Sequence, residues 1–230
     1  MRELLVGRDF FGVHPWETLE ERKTEKRKVE EELRSKLLAN PKAGVGEIGL
    51  DRLKVRDIPP LMREVFESQL ALALELRRPV VLHGAKCWGQ VVTTVCRHLS
   101  HSPTPPLPHS STPPLPHSPP PPLPHSPTPS FLFHGFSRSD GLIPEIVALN
   151  GFISVGPAVL NDHAVNYREL VKKIPLDRLL VETDAVVGAR VPTRPHIRDV
   201  LVKTADILNL SAAELEKTTD ENADRFLGAV

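Results

Sequence analysis

Apolar residues in this 230-residue chain fall into short continuous runs, separated by longer stretches in which they recur every three or four positions. A short continuous run is the pattern of a strand buried on both faces, as in a parallel sheet. About six such strands are expected: Phe10–Val13, Gly44–Leu50, Val80–His83, Phe131–His134, Phe152–Val155 and Leu179–Asp184. The intervening stretches read as helices. The charged segment from Glu17 to Asn40 carries Val29, Leu33 and Leu37 at helical spacing and closes at Asn40-Pro41. Residues 60–78 place Leu61, Val65, Leu72 and Leu76 among the apolar positions and Glu64 and Glu67 on the polar side, and Pro79 stops the helix. Asp140 is expected to cap a helix that ends at Asn150-Gly151. Two helices finish the chain, the second opened by a capping box from Ser211 to Glu214. Strands separated by single helices imply an α/β architecture with parallel pairing and right-handed crossovers.

One segment breaks the alternation. Residues 99–130 read as four octads, LSHSPTPP, LPHSSTPP, LPHSPPPP and LPHSPTPS, which hold 14 of the chain's 24 prolines. Proline removes backbone donors and forbids helix and inner-strand pairing, so this block is expected to be an extended, disordered insertion. His101, His109, His117 and His125 recur with the octad, as a repeat expansion carries any residue it contains; metal binding and docking of a PxxP-type partner are the functional alternatives. The folded unit then consists of residues 1–98 and 131–230, two parts of one TIM-barrel-like (β/α) barrel of about 200 residues, near the lower size limit of that fold. A closed barrel takes eight strands, so this one is expected to be incomplete at its N-terminus.

Composition adds mainly exclusions. Twenty-nine basic residues balance 29 acidic ones, so no global field draws in a polyanion and any nucleic-acid partner needs a local patch. The start carries Arg2, Glu3, Arg8 and Asp9 without a long apolar run, and no stretch is long enough to span a bilayer. A soluble cytoplasmic or nuclear protein, monomeric and away from membranes, is the expectation. Cys87 and Cys96 are too few for a disulfide framework and lack zinc-pair spacing. Cys87 reads as a packing thiol and Trp88 as a helix core position, while Lys86 and Arg138 lie just beyond strand ends, where a phosphate could meet them.

Glu47, His83, His134 and Asp184 are ligand-type side chains at or near the carboxyl ends of four separate apolar strands. Barrel enzymes assemble their sites at that face. Two imidazoles with two carboxylates suit zinc or manganese, and magnesium if water completes the shell. A cation so held acidifies a bound water and polarises a phosphoryl or carbonyl oxygen. The residues by themselves therefore point to metal-assisted hydrolysis and leave the substrate open.

The strings around them resemble motifs of the TatD family of metal-dependent deoxyribonucleases. Gly46-Glu47-Ile48-Gly49-Leu50-Asp51 is similar to the family's GEIGLD signature, whose glutamate bridges two metals. REVFESQLALALELRRPVVLH, FLFHGFS and LLVETDA resemble the segments that deliver a metal histidine (here His83), a second (His134) and a metal aspartate (Asp184). FGVHPW resembles the family's GxHP turn and places His14 near substrate phosphate, and ENADRFLG looks like its closing helix. The resemblance implies hydrolysis of phosphodiester bonds, with DNA as partner and one or two divalent cations as cofactor. It implies that Glu47, His83 and His134 hold one metal. Asp184 would hold a second or act as base, which makes Glu47 and Asp184 the catalytic pair, with His14 binding substrate; Arg138 is the further substrate-binding candidate by its place just beyond a ligand strand, with solvated surface as the alternative.

The chain departs from the pattern in three places. The family opens with a strand ending in His-x-His, and no such pair occurs between Met1 and His14; after Asp184 stands Ala185-Val186-Val187 where a proline is usual; and the octads intervene between His83 and His134. Two alternatives therefore stay open: a catalytically inactive TatD-like protein that docks partners through the proline-rich block, and a related barrel hydrolase acting on a small amide or ester.

Overall fold

A computed structural model describes residues 9–19, 26–101, 128–184 and 196–228. The octads between 102 and 127, the opening residues 1–8 and the segment 185–195, which includes Ala185-Val186-Val187, lie outside the described residues.

Among the described residues, six strands form one parallel sheet in sequence order: β1 (Phe10–Phe11), β2 (Gly44–Asp51), β3 (Val80–Ala85), β4 (Phe131–Phe133), β5 (Gly151–Val155) and β6 (Leu179–Val181). Helices follow the strands: α1 (Lys26–Ala39), α2 (Pro60–Glu75), α3 (Trp88–His101), α4 (Ile143–Ala148), α5 (Val165–Val171), α6 (Ile197–Leu208) and α7 (Ala212–Leu227). Helix α3 runs to His101 and so takes in the first three residues of the octad block. Residue parity along each strand sorts side chains between two apolar layers. Val80, Leu82, Phe131, Phe133, Ile153, Val155, Leu179 and Val181 join the large core beneath the helices. Val81, Leu132, Phe152 and Leu180 point the other way, into a second core with Ala223 and Phe226 of α7. A sheet buried on both faces has no polar alternation, which is why its strands read as continuous apolar runs.

The Phe226 ring stacks on Phe10 of β1 at 6.1 Å and meets Phe152 of β5 edge-on at 6.0 Å. One side chain can touch the first and fifth strands only if the sheet curls around it, and this curl makes the fold TIM-barrel-like. The side-chain amide of Asn222 anchors α7 by donating to the carbonyls of Leu176 and Leu179, both at 2.7 Å. These carbonyls lie where β6 begins, so α7 fills the end of the barrel opposite the carboxyl ends of the strands.

The helix expected from Asp140 differs in detail. Asp140 opens a short 3-10 turn, Asp140–Leu142, behind Ser139, and α4 starts only at Ile143, with Pro144 in its first turn. The Asp140 carboxylate is drawn instead to Lys173. The capping box at Ser211 and Glu214 forms as the sequence suggests.

Candidate metal centre

The ends of β3, β4 and β6 bring His83, His134 and Asp184 to one face, Glu47 joins them from the middle of β2 rather than from the strand end expected, and the turn after β1 brings His14 to the same place. Glu47 lies in β2 where the register against β3 shifts, between Val45 and Ile48. Two residues on, Gly49 takes φ +150, and a Cβ there would lie 2.0 Å from the His83 carbonyl oxygen. Only glycine allows β2 and β3 to approach so closely at this point. His14 is positioned from α2. The buried Gln69 side chain accepts from the Val13 N–H at 2.7 Å and donates to the Val13 carbonyl at 3.2 Å.

Glu47 sits between the two strand histidines and offers one oxygen to each. Its Oε2 is 3.6 Å from His83 Nδ1, and its Oε1 is 3.7 Å from His134 Nε2. The far nitrogen of each imidazole is held by a carboxylate. His83 Nε2 donates to Asp51 Oδ2 at 2.8 Å, and Asp51 is fully buried. His134 Nδ1 donates to Glu182 Oε2 at 2.6 Å, while Glu182 Oε1 accepts from the Gly135 N–H at 3.0 Å. These bonds assign the tautomers: His83 presents Nδ1 and His134 presents Nε2 toward Glu47. A carboxylate behind a ligand histidine is the usual outer support of a metal site, since it fixes the ring and raises its basicity.

The donor set fits a cation. Ligand atoms about 2.1 Å from a tetrahedral metal stand about 3.4 Å apart. The separations from Glu47 to the strand histidines, 3.6 and 3.7 Å, are of that size. Donor atoms of His14, Glu47 and His83 all lie within 4.8 Å of one another, which by proximity would make His14 a ligand. Its hydrogen bonding argues otherwise. His14 Nδ1 accepts from the Trp16 backbone N–H at 3.2 Å, so the neutral ring carries its proton on Nε2, the atom facing the centre. His14 therefore offers the centre a donor rather than a lone pair.

The electrostatics are mutual. Burial works to raise the Glu47 carboxyl, but the imidazoles of His83, His134 and His14 outweigh it and hold the group below the usual carboxylate range. Burial likewise pushes His134 down, and Glu182, Asp184 and Glu47 together carry it up to about 11. Without a cation the ring is an imidazolium, and its second N–H donates to Asp184 Oδ1 at 3.2 Å. Burial, and then His83, lower the pKa of His14. Asp184 itself takes a left-handed backbone at φ +53, a region aspartate tolerates better than most residues. Its side chain is 72% exposed, in contrast to the buried partners of the histidines.

Beside Asp184 opens a cavity of about 940 Å³ lined by Glu182, Asp184, Arg138, His163, Tyr167 and Lys173 among others. Arg138 thus lines the same cavity as Asp184. Cys87 is buried, its thiol against the Leu50 and Ala85 carbonyls at 3.3 Å, and burial pushes its pKa up to about 11. It is a packing thiol. Trp88 packs at 4% exposure against Phe133 and Phe136. Sequence reasoning did not single out Asp51, Glu182 or Trp16. Asp51 and Glu182 do stand inside the two strings that carried Glu47 and Asp184, and that placement was the available signal.

A sequence profile described as TatD related DNase matches residues 8–228. An uncharacterized metal-dependent hydrolase of Bacillus subtilis, YabD, is 26% identical over 188 residues, covering 79% of this chain and 64% of that protein. The 3′-5′ ssDNA/RNA exonuclease TatD of Pectobacterium atrosepticum is 28% identical over 225 residues, covering 93% of this chain and 75% of that protein. This chain thus spans about two thirds to three quarters of the length of these two relatives. Among solved structures, the TatD homologue YjjV of Escherichia coli superposes with a TM-score of 0.71 at 24% identity, covering 96% of this chain and 76% of that one.

Proposed function

The chain belongs to the family of TatD-related DNases; from that premise we propose that it is a metal-dependent hydrolase that cleaves phosphodiester bonds of DNA. The observation that carries this reading is the pair of strand histidines, each gripped from behind by a carboxylate and each presenting its other nitrogen to Glu47. The name of the Pectobacterium relative, an exonuclease of single-stranded DNA and RNA, supports nucleic acid as the substrate class.

Glu47, His83 and His134 would hold a divalent cation (magnesium, manganese or zinc), and such a cation, when bound, supplies an acidified water and neutralises charge on the phosphate. Glu47 keeps its charge because three imidazoles surround it. Asp184, exposed and beside His134 Nε2, takes the proton of the attacking water or binds a second cation. His14 donates from Nε2 to a phosphate oxygen, and Arg138 supplies positive charge from the cavity wall.

A substrate panel tests the reading. With manganese supplied, the full chain is expected to cleave DNA oligonucleotides and to leave small esters and amides intact. Hydrolysis of an ester or amide without cleavage of any oligonucleotide would move the chain to another hydrolase class, and no turnover of any substrate by folded, metal-loaded protein would make it an inactive relative.

A further inference from the structure

Trp16 is a large aromatic side chain left 41% exposed immediately beside the centre. It lies in the 3-10 turn Pro15–Leu19, and its ring stands edge-on to His14 at 5.1 Å and to His83 at 6.5 Å. The indole N–H donates to Asp51 Oδ2 at 2.8 Å, the same oxygen that accepts from His83. One edge of the ring is therefore fixed to the scaffold that orients a metal histidine, while much of the rest faces outward. The other oxygen of Asp51 accepts from the Leu53 N–H at 2.5 Å, which seats the loop after β2 beside the indole. Leu53 is 55% exposed, so two large apolar side chains share this rim.

The rim also carries charge. Lys54 Nζ stands 3.7 Å from the Trp16 ring centre, and the exposed Arg52 guanidinium donates to the Arg56 carbonyl at 2.9 Å. Arg52, Lys54 and Arg56 against Asp57 leave the loop net positive. In a chain with zero formal charge, this is the kind of local patch a polyanion needs. An exposed aromatic face with cations around it matches how proteins hold single strands, by stacking a base on the ring and tracking the backbone with Lys and Arg.

We propose that Trp16, with Leu53 and Lys54, forms a subsite for one unpaired nucleobase of the substrate, adjacent to the phosphate bound at the centre. Lys54 shifts from the ring face to a neighbouring phosphate as the base stacks, a movement its long flexible stem permits. A paired base inside a duplex has both faces covered by its neighbours, so the subsite selects single-stranded or frayed ends. This inference rests on the nuclease reading and adds to it the residues that would take the base.

The test uses the full chain, stripped of metal so that nothing turns over, and a short fluorescein-labelled oligothymidylate. Binding is followed by anisotropy, and tryptophan emission is followed in parallel with an unlabelled oligonucleotide. The chain has only two tryptophans and Trp88 is buried, so emission quenched on binding should vanish in Trp16→Phe. An oligonucleotide abasic at successive positions should lose roughly tenfold in affinity at one position, the size of a lost base–aromatic stack. That loss should disappear in Trp16→Ala and persist in Trp16→Phe, which keeps a stacking face but lacks the N–H to Asp51. Binding without quenching, or the same abasic penalty in Trp16→Ala as in the native chain, overturns the subsite. Absence of oligonucleotide binding also overturns it. Metal-dependent cleavage of the oligonucleotide, measured alongside, distinguishes failure of the subsite alone from failure of the nuclease reading.

Discussion

Glu182 Oε2 accepts a hydrogen bond of 2.6 Å from His134 Nδ1, and this bond turns Nε2 of the ring toward Glu47. Glu182 belongs to β6's end and His134 to β4's, two strands apart in the sheet. The centre is therefore oriented by contacts across the barrel mouth as well as by each strand's own geometry.

Glu182→Gln keeps the shape but removes the charge that supports the imidazole. Metal affinity should fall about 10- to 100-fold, as when other outer-shell partners of metal histidines are changed. A competition titration against a chromogenic chelator measures it. Unchanged affinity would mean that His134 is not a ligand.

Asp51 accepts from three N–H groups, those of Trp16, His83 and Leu53, while fully buried. An amide cannot satisfy all three, because its NH₂ faces a donor. Asp51→Asn should cost about 1–3 kcal/mol of stability by leaving a buried donor unpaired, and metal affinity should fall through His83. Urea denaturation checks the first, and the same chelator titration checks the second.

The proton on His134 gives the metal-free protein a pH signature. Its pKa is raised in the folded state from 6.5 to about 11. The folded state then binds the extra proton, so the stabilisation is fully present below about pH 6.5 and is lost as pH rises toward 11. The melting temperature of the metal-free native chain, measured against metal-free His134→Gln, should decline across that window. A difference that stays constant with pH would show that the ring is not held charged.

Much of this arrangement could be read from the chain. Strands buried on both faces appear as apolar runs, so the positions of His83, His134 and Asp184 near or just beyond strand ends followed directly, whereas Glu47 lies in the middle of β2 rather than at its end. The supports did not follow. Asp51 and Glu182 act across strands on histidines 32 and 48 residues away, and no local period marks such a pair. Helix α5, at seven residues, is too short to show a period, and the exposure of Trp16 depends on how the turn after β1 meets the loop after β2. Asp140 looked like a cap because aspartate commonly is one; Lys173, far along the chain, drew its carboxylate instead.

Phe226 closes the second core between Phe10 and Phe152. Phe226→Ala should destabilise the fold by about 3–5 kcal/mol, the usual cost of emptying a fully packed phenylalanine site. Chemical denaturation reads this out. A cost below about 1 kcal/mol, within the range of a surface substitution, would mean that the sheet does not curl onto α7.

Glu47, His83 and His134 are proposed to form a working metal centre for phosphodiester cleavage. The most direct measurement takes the purified chain stripped of metal, resupplies magnesium, manganese or zinc, and follows cleavage of single- and double-stranded DNA beside Glu47→Ala. Cleavage should return with metal and be lost in the variant. Folded native protein that cleaves under none of the metals, or a Glu47→Ala variant that cleaves as well as the native chain, would contradict the proposal.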